Sequence, residues 1–227
     1  MSARHLLAAL VIPVVLAGDN ALGQPLPEPP VPTAAGSAPA ADAEADEDGW
    51  SFSASADIYL LPDDSDYLQP TFTADRGRLH LEARYNYEDL DTGSLWIGYN
   101  LTVDGDVTLA FTPMAAAVVG NTDGVAPGYN LAIDWWKLAF FSQSEYVIDT
   151  SDSANNFLYT WTELSVWPWD WLGAGVVVQR TRVADLGFEA EPGVLLGLAW
   201  KNASVTAYVF GLDESDQTVV VGAGLSF

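Results

Sequence analysis

The sequence predicts an all-β fold: a transmembrane, antiparallel, up-and-down β-barrel of about twelve strands, with both termini at the same end. From Trp50 onward, apolar and polar residues alternate with period two, and no pattern has helical spacing. Tight turns and longer loops separate these segments in strict alternation. Although 49% of the 227 residues are hydrophobic, no apolar stretch after residue 23 is long enough to cross a membrane as a helix.

The first 49 residues form two segments outside the predicted barrel. Arg4 and His5 precede an apolar run at 6–16, and small residues flank a cleavage point before Gln24, so 1–23 is predicted to be a secretory signal peptide. A buried N-terminal helix is the alternative. Residues 24–49 are rich in Pro and Ala and then acidic, with too little apolar surface to offset the entropy of ordering. We predict a disordered tail there.

The composition excludes several classes of function. With no cysteine, the chain has no disulfide framework, no thiolate metal site and no acylated lipoprotein cysteine. The formal net charge is -23, which would repel a phosphate backbone and argues against a nucleic-acid partner. No cofactor is predicted.

Twelve segments show strand-type alternation, at 50–61, 67–75, 78–88, 94–103, 106–119, 126–135, 137–148, 156–167, 171–182, 192–201, 203–211 and 217–227. The tight breaks are 75–78, 103–106, 134–137, 168–170 and 201–202, and the longer breaks are 62–66, 88–93, 120–128, 149–155, 183–191 and 212–216. Because consecutive strands run in opposite directions, an even number of strands returns the chain to the end from which it started.

The last strand carries a family resemblance. Val219, Val221, Ala223, Leu225 and Phe227 form one apolar face, and smaller or polar residues alternate with them. This strand resembles the C-terminal signal of bacterial outer-membrane β-barrel proteins, in which Val221, Ala223, Leu225 and Phe227 would be the assembly signal. The resemblance implies insertion by the barrel-assembly machinery into a Gram-negative-type outer membrane, with lipid and lipopolysaccharide as surroundings. It does not extend to a narrower family or to a cargo.

In such a barrel the tight turns and both termini would be periplasmic, and the longer loops would lie outside. Seven tryptophans lie at or beside the tight turns, and we predict that they form an aromatic girdle at the membrane interface: Trp50, Trp135, Trp136, Trp167, Trp169, Trp171 and Trp200. Only Trp96 and Trp161 lie elsewhere. The alternative is a soluble, secreted β-sandwich with a tryptophan-containing core.

The longer loops are acidic, whereas Arg76, Arg78, Lys137 and Lys201 are at the tight turns. Two runs offer hard oxygen donors for Ca²⁺ or Mg²⁺, namely Asp63, Asp64 and Asp66, and Asp213, Glu214 and Asp216. Neither run has EF-hand spacing, so no metal site is predicted. They are interpreted as solvated loop charge, with divalent cations shared with lipopolysaccharide phosphates as the alternative.

The polar phase of each strand should face the lumen. In the third strand, Leu79, Leu81, Ala83, Tyr85 and Tyr87 are predicted to face lipid. The predicted lumen set is His80, Glu82, Arg84, Asn86, Asn100, Asn130, Gln143, Glu145, Glu163 and Gln179. Arg84 is its one well-placed cation. It is interpreted either as part of a constriction in a pore or as part of a salt-bridge network that fills a narrow barrel.

Three functional hypotheses follow. The first is a narrow passive channel with an acidic vestibule for small neutral or cationic solutes. The second is a non-conducting envelope-binding or structural barrel that acts through its acidic loops. The third is a membrane-lipid-modifying enzyme. His80 is the single histidine after residue 23, and no serine in a recognisable nucleophile setting accompanies it, so we do not expect an enzyme.

Overall fold

The computed structural model describes residues 49–62, 64–183, 187–213 and 216–227. The predicted signal peptide at 1–23 lies outside these ranges, as do the predicted tail up to residue 48 and the acidic loop residues Asp63 and Glu214. Among the residues described, no helix has the length and apolar character needed to cross a membrane.

The described chain folds into thirteen strands joined by turns and one short 3₁₀ segment, Ser153–Asn155. The strands are β1 (Ser51–Leu60), β2 (Tyr67–Arg76), β3 (Leu79–Tyr85), β4 (Gly93–Tyr99), β5 (Leu101–Val103), β6 (Val107–Val119), β7 (Gly124–Trp135), β8 (Leu138–Asp149), β9 (Phe157–Trp169), β10 (Leu172–Val183), β11 (Gly187–Trp200), β12 (Ala203–Phe210) and β13 (Val219–Ser226).

Each strand pairs antiparallel with its neighbours, and two further pairings close the sheet. β1 pairs with β13, where Ala56 is opposite Ala223, and β4 pairs with β6, where Leu95 is opposite Ala117. β5 continues β4 beyond Asn100 and also pairs with β6. β4 and β5 together count as one interrupted strand of the barrel wall. The closed antiparallel barrel therefore has twelve such wall strands, which we call staves, and the predicted fold class is confirmed.

The first and last strands start and finish at the same end of the barrel, because Phe52 and Phe227 exchange two backbone hydrogen bonds of 2.9 Å. The tight turns lie at this end, which we call the turn end. The opposite end, which carries the longer connections, is called the loop end. A closed sheet leaves no unpaired edge, as a β-structure in hydrocarbon requires.

The outer surface of the barrel is apolar. On β4, Leu95 and Ile97 are 69% and 59% exposed, whereas Trp96 between them is 2% exposed and lies inside. The same exposed row continues on other strands through Val176, Leu196, Leu198 and Val205. So large an exposed apolar surface is unusual for a soluble monomer and suits contact with lipid.

The inside of the barrel is packed with side chains from mid-height to the loop end. Trp161 lies edge-on to Tyr208 and Phe210, with ring centroids 5.3 and 5.4 Å apart. Tyr159 and Val220, on either side of this group, are completely buried. A barrel of this size therefore has an aromatic core here rather than open water.

One predicted loop is mostly strand. β11 begins at Gly187, not at 192, so the connection after β10 spans 184–186 rather than 183–191. Glu189 and Glu191 pair in register with Thr181 and Gln179 on the inward-facing phase of β10. Glu191, one of the acidic residues that suggested a loop, therefore belongs to the strand, where it accepts a hydrogen bond from Gln179.

Candidate functional site

The candidate site is the polar interior. Period-two alternation places side chains two residues apart on the same face of a strand, so β3 directs His80, Glu82 and Arg84 inward together. β8 adds Gln143 and Glu145, and β9 adds Glu163, all of them buried. The structure thus brings together on the inside most of the residues predicted from phase.

Arg84 is held on all sides. Its Nε donates to Glu82 Oε1 at 2.5 Å and its Nη1 to Glu145 Oε2 at 2.9 Å. The guanidinium lies over the rings of Tyr87 and Trp96, at 4.2 and 4.4 Å from their centroids. When its amide oxygen faces Arg84, Gln143 accepts from Nη2 at 2.7 Å. These contacts use the donors of the guanidinium, so Arg84 joins the strands rather than presenting a free cation.

A hydrogen-bonded chain runs from Arg84 to the turn end. Glu82 Oε2 is 3.1 Å from His80 Nε2, and Asp75 Oδ1 is 2.8 Å from His80 Nδ1. Asn100 donates to the same Asp75 oxygen at 2.7 Å. His80 therefore has a carboxylate at each ring nitrogen. It belongs to this network, in agreement with the interpretation of the lumen as a salt-bridge network.

A second cluster surrounds Glu163. Its Oε1 accepts from Trp161 Nε1 at 2.7 Å and from Tyr208 Oη at 3.0 Å. Asp57 is also 1% exposed on the inside, and its Oδ1 accepts no hydrogen bond. Gln179 donates to Glu191. Among the described residues, neutral hydrogen-bond donors rather than cations contact Glu163 and Glu191.

The interior is net acidic. Five buried carboxylates face inward, on Asp57, Glu82, Glu88, Glu145 and Glu163, against the cation of Arg84 and the imidazole of His80. Among the residues the structure describes, the remaining arginines and lysines are exposed: Arg76, Arg78, Lys137, Arg180, Arg182 and Lys201.

A cavity of about 280 Å³, lined by both polar and apolar side chains, lies at the turn end. Asn130, Asp134 and Thr73 are among the residues that line it. Its deepest lining residues on β3 and β9 are Glu82 and Glu163, and the next inward positions, Arg84 and Trp161, are 3% and 0% exposed. The cavity therefore ends against the packed core.

Two predicted orientations near the end of β3 are wrong. β3 ends at Tyr85, and Asn86 has φ 56°, a left-handed conformation that interrupts the alternation. Asn86 consequently belongs to the loop, where it donates to Leu68 O at 3.0 Å and accepts from Asp91 N at 2.8 Å, rather than to the lumen. Tyr87, predicted to face lipid, turns inward under Arg84.

Six of the seven predicted girdle tryptophans are exposed at the turn end, from Trp50 at 44% to Trp136 at 84%. Trp167 is the exception and requires a correction. It shares the inward phase of Glu163 and Ser165, and its Nε1 donates to Ser165 Oγ at 3.1 Å. A Cβ on Gly197 would lie 2.9 Å from its ring, so the absent side chain makes room for the indole. The phase of β9 predicts this orientation, whereas proximity to the turn does not.

The loop carboxylates mainly hold loop backbone in place. Asp149 Oδ1 accepts from the amides of Ser151 and Asp152 at 2.6 and 3.0 Å, and Asp123 accepts from Gly120 N at 3.1 Å. Within the described ranges, no group of three or more His, Cys, Asp or Glu side chains is arranged to hold a metal. Part of each acidic run considered above lies outside those ranges, at Asp63 and Glu214.

The predicted assembly-signal strand is β13, which closes the barrel against β1. Leu225 and Phe227 are 50% and 63% exposed on the outer face, and the Phe227 ring stacks on Phe52 with centroids 6.0 Å apart. Ala223 is exposed and Val221 half-buried on the same phase. The terminal phenylalanine is therefore accessible from outside the barrel.

Comparison with known proteins supports the architecture. No family model matches the chain, and no curated protein matches its sequence. Two similar solved structures are the KdgM porin (TM-score 0.56, 11% identity, 77% of this chain and 99% of that one) and the KdgM porin in complex with disordered oligogalacturonate (TM-score 0.58, 9% identity, with the same coverage). The chain has the outer-membrane β-barrel fold. At these identities the likeness is one of fold alone.

Proposed function

We propose that this chain is an outer-membrane barrel with a closed interior, which acts through the surfaces it presents to the envelope rather than by conducting solutes. One observation carries the proposal. Every stave contributes an inward side chain that is at most 5% exposed, and these are Tyr59, Gln69, Arg84, Trp96, Val118, Ala126, Val147, Trp161, Val177, Leu195, Tyr208 and Val220.

The strength of the internal contacts argues that the barrel rarely opens. Moving Arg84 aside would separate it from Glu82 and Glu145, and breaking a buried pair costs about 3–5 kcal/mol. Because about 1.4 kcal/mol changes an equilibrium tenfold, an open form would make up less than about 1% of the population. The aromatic contacts of Trp161 add to this cost.

Planar-bilayer recording of the refolded mature chain tests the proposal. We expect no single-channel steps from the wild type. The double variant Trp161→Gly/Tyr208→Ala removes two large rings that contact each other in the core. It should give small steps that favour cations, because the carboxylates of Glu163 and Glu82 remain. Trp136→Ala, at the exposed turn end, is the matched control and should stay silent. Regular steps from the wild type would contradict a closed interior.

The second candidate is a narrow passive channel for small neutral or cationic solutes. The turn-end cavity and the excess of inward carboxylates favour it, since both would admit and attract cations. It predicts cation-selective steps from the wild type in the same recording.

An enzymatic role has less support, because both ring nitrogens of His80 are hydrogen-bonded to carboxylates and neither contacts a hydroxyl nucleophile.

The proposed location is the outer membrane, reached through the signal peptide and the barrel-assembly machinery. The apolar outer face and the exposed turn-end tryptophans support this location. The turn end would then face the periplasm and the loop end the cell exterior. Proteolysis of intact cells expressing the chain should cut at the loop end and spare the turns, and the reverse pattern would contradict this orientation.

A further inference from the structure

Two arginines interrupt the apolar outer face of β10. The outward residues of this strand are, in order from the turn end, Leu172, Ala174, Val176, Val178, Arg180 and Arg182. Four apolar positions are thus followed by two exposed cations at the loop end. The phase of β10 places both arginines on the lipid side.

Their neighbours on that face are uncharged. Arg180 is opposite Thr160 on β9 and Ala190 on β11, and Arg182 is opposite Leu158. Glu191 of β11 is opposite Gln179 on the inward phase and accepts a hydrogen bond from it. Within the described part of the chain, neither arginine has an ion-pair partner within 4 Å. The two guanidinium groups are therefore available to an external anion.

Their height matches the edge of a membrane. Arg182 is ten residues beyond Leu172, which at about 3.3 Å per residue and a tilt of about 40° places it roughly 25 Å above the turn end. The apolar band of an outer-membrane barrel is also about 25 Å tall. The arginines thus lie where hydrocarbon gives way to headgroups.

We propose that Arg180 and Arg182 form a binding site for the phosphate groups of lipopolysaccharide in the outer leaflet. The inference rests on the proposed outer-membrane placement and names a partner for the loop end of the barrel. Charge complementarity supports the proposal, because the headgroups of lipopolysaccharide carry phosphate. Each guanidinium group can form two parallel hydrogen bonds to a phosphate. Asp152, an exposed carboxylate, belongs to the connection between β8 and β9 rather than to this outer face.

Lipid binding to the folded chain tests the site. Native mass spectrometry would titrate bisphosphorylated lipid A, dephosphorylated lipid A and phosphatidylglycerol against the mature barrel in the same detergent. We expect the wild type to bind bisphosphorylated lipid A about tenfold more tightly than the other two lipids. Arg180→Ser/Arg182→Ser should lose that preference.

The matched control removes two arginines from the opposite end. Arg76→Ser/Arg78→Ser should keep the preference, since both residues lie at the turn end, beside Trp50 and Tyr99. Equal loss in both double variants, or no loss at β10, would overturn the site. Equal affinity for phosphatidylglycerol would overturn its assignment to lipopolysaccharide. If the Ser variant does not fold, Arg180→Gln/Arg182→Gln removes both charges, keeps three carbons of each side chain and decides the same question.

The lipid-binding experiment and the bilayer recording test separate statements, the site on β10 and the closed interior. Conductance by the wild type would contradict a closed interior but would leave the preference for lipid A intact. Loss of the lipid preference in a chain that stays silent in bilayers would overturn only the site at β10.

Discussion

Arg84 Nη1 and Glu145 Oε2 lie 2.9 Å apart across the interior, joining β3 to β8, strands that are not neighbours in the sheet. Both side chains are buried, and Glu82 adds a second carboxylate at Nε. The guanidinium thus fixes the distance between two walls of the barrel, in addition to the hydrogen bonds of the sheet.

Arg84→Met should lower the free energy of unfolding by about 3–5 kcal/mol, because it leaves Glu145 buried without a cation and leaves Glu82 with only His80 as a partner. Urea unfolding of the refolded barrel in detergent measures the loss. Arg78→Met is the control: Arg78 is exposed and bonds only Tyr99 at 2.8 Å, so its loss should stay below about 1 kcal/mol. Similar losses for the two variants would show that the interior network contributes little.

Tyr208→Phe should cost about 1–2 kcal/mol, since it deletes a hydroxyl that donates to buried Glu163 at 3.0 Å. Tyr146→Phe removes the same atom from a side chain that is 40% exposed, and we expect it to be nearly neutral. The same unfolding experiment compares them. A neutral Tyr208→Phe would mean that water reaches Glu163, contrary to a packed core.

Lipid quenching distinguishes the inward tryptophan from the others. With brominated lipids in the vesicles, Trp169→Phe should reduce the quenched fraction of the fluorescence, because Trp169 is 58% exposed at the turn end. Trp167→Phe should leave the quenched emission unchanged, since that indole lies inside against Ser165. A larger decrease in quenched fluorescence for Trp167→Phe than for Trp169→Phe would place Trp167 in the girdle at the membrane interface.

Phe227→Ala should reduce the amount of barrel in the outer-membrane fraction several-fold, if the terminal strand is the assembly signal that its resemblance implies. Stability of the refolded protein should change little, because the ring is 63% exposed. Phe72→Ala is the control, since its ring is also exposed and also stacks on Phe52. Equal amounts of the two variants in the membrane would argue against a special role for Phe227.

Much of this architecture follows from alternation alone. The alternation of β3 and β8 is sufficient to predict that Glu82, Arg84 and Glu145 face the interior, because side chains two residues apart lie on the same face of a strand. Alternation failed where the backbone left the strand conformation, at Asn86, and Tyr87 was consequently assigned to the wrong face. Alternation places Glu82 beside Arg84 but does not identify Glu145 as the partner from another strand, since contacts across a barrel depend on its curvature and closure.

The sequence alone does not distinguish a filled interior from an open one. Twelve staves allow either a filled or an open lumen, and the difference lies in how far Trp161 and Tyr208 reach across it. Their inward phase was predictable, but their contact depends on two strands that come together only when the sheet closes.

The account requires that the outward-facing side chains of the strands contact the hydrocarbon of the membrane. Because the chain has no cysteine, a single spin label can be placed without background through Leu95→Cys, at a position 69% exposed on the outer face, or through Asp213→Cys in a loop. Power saturation in lipid vesicles should find the label at 95 accessible to oxygen and shielded from a water-soluble nickel complex, with the opposite result at 213. A label at 95 that the nickel complex reaches as readily as it reaches 213 would contradict a barrel embedded in the membrane.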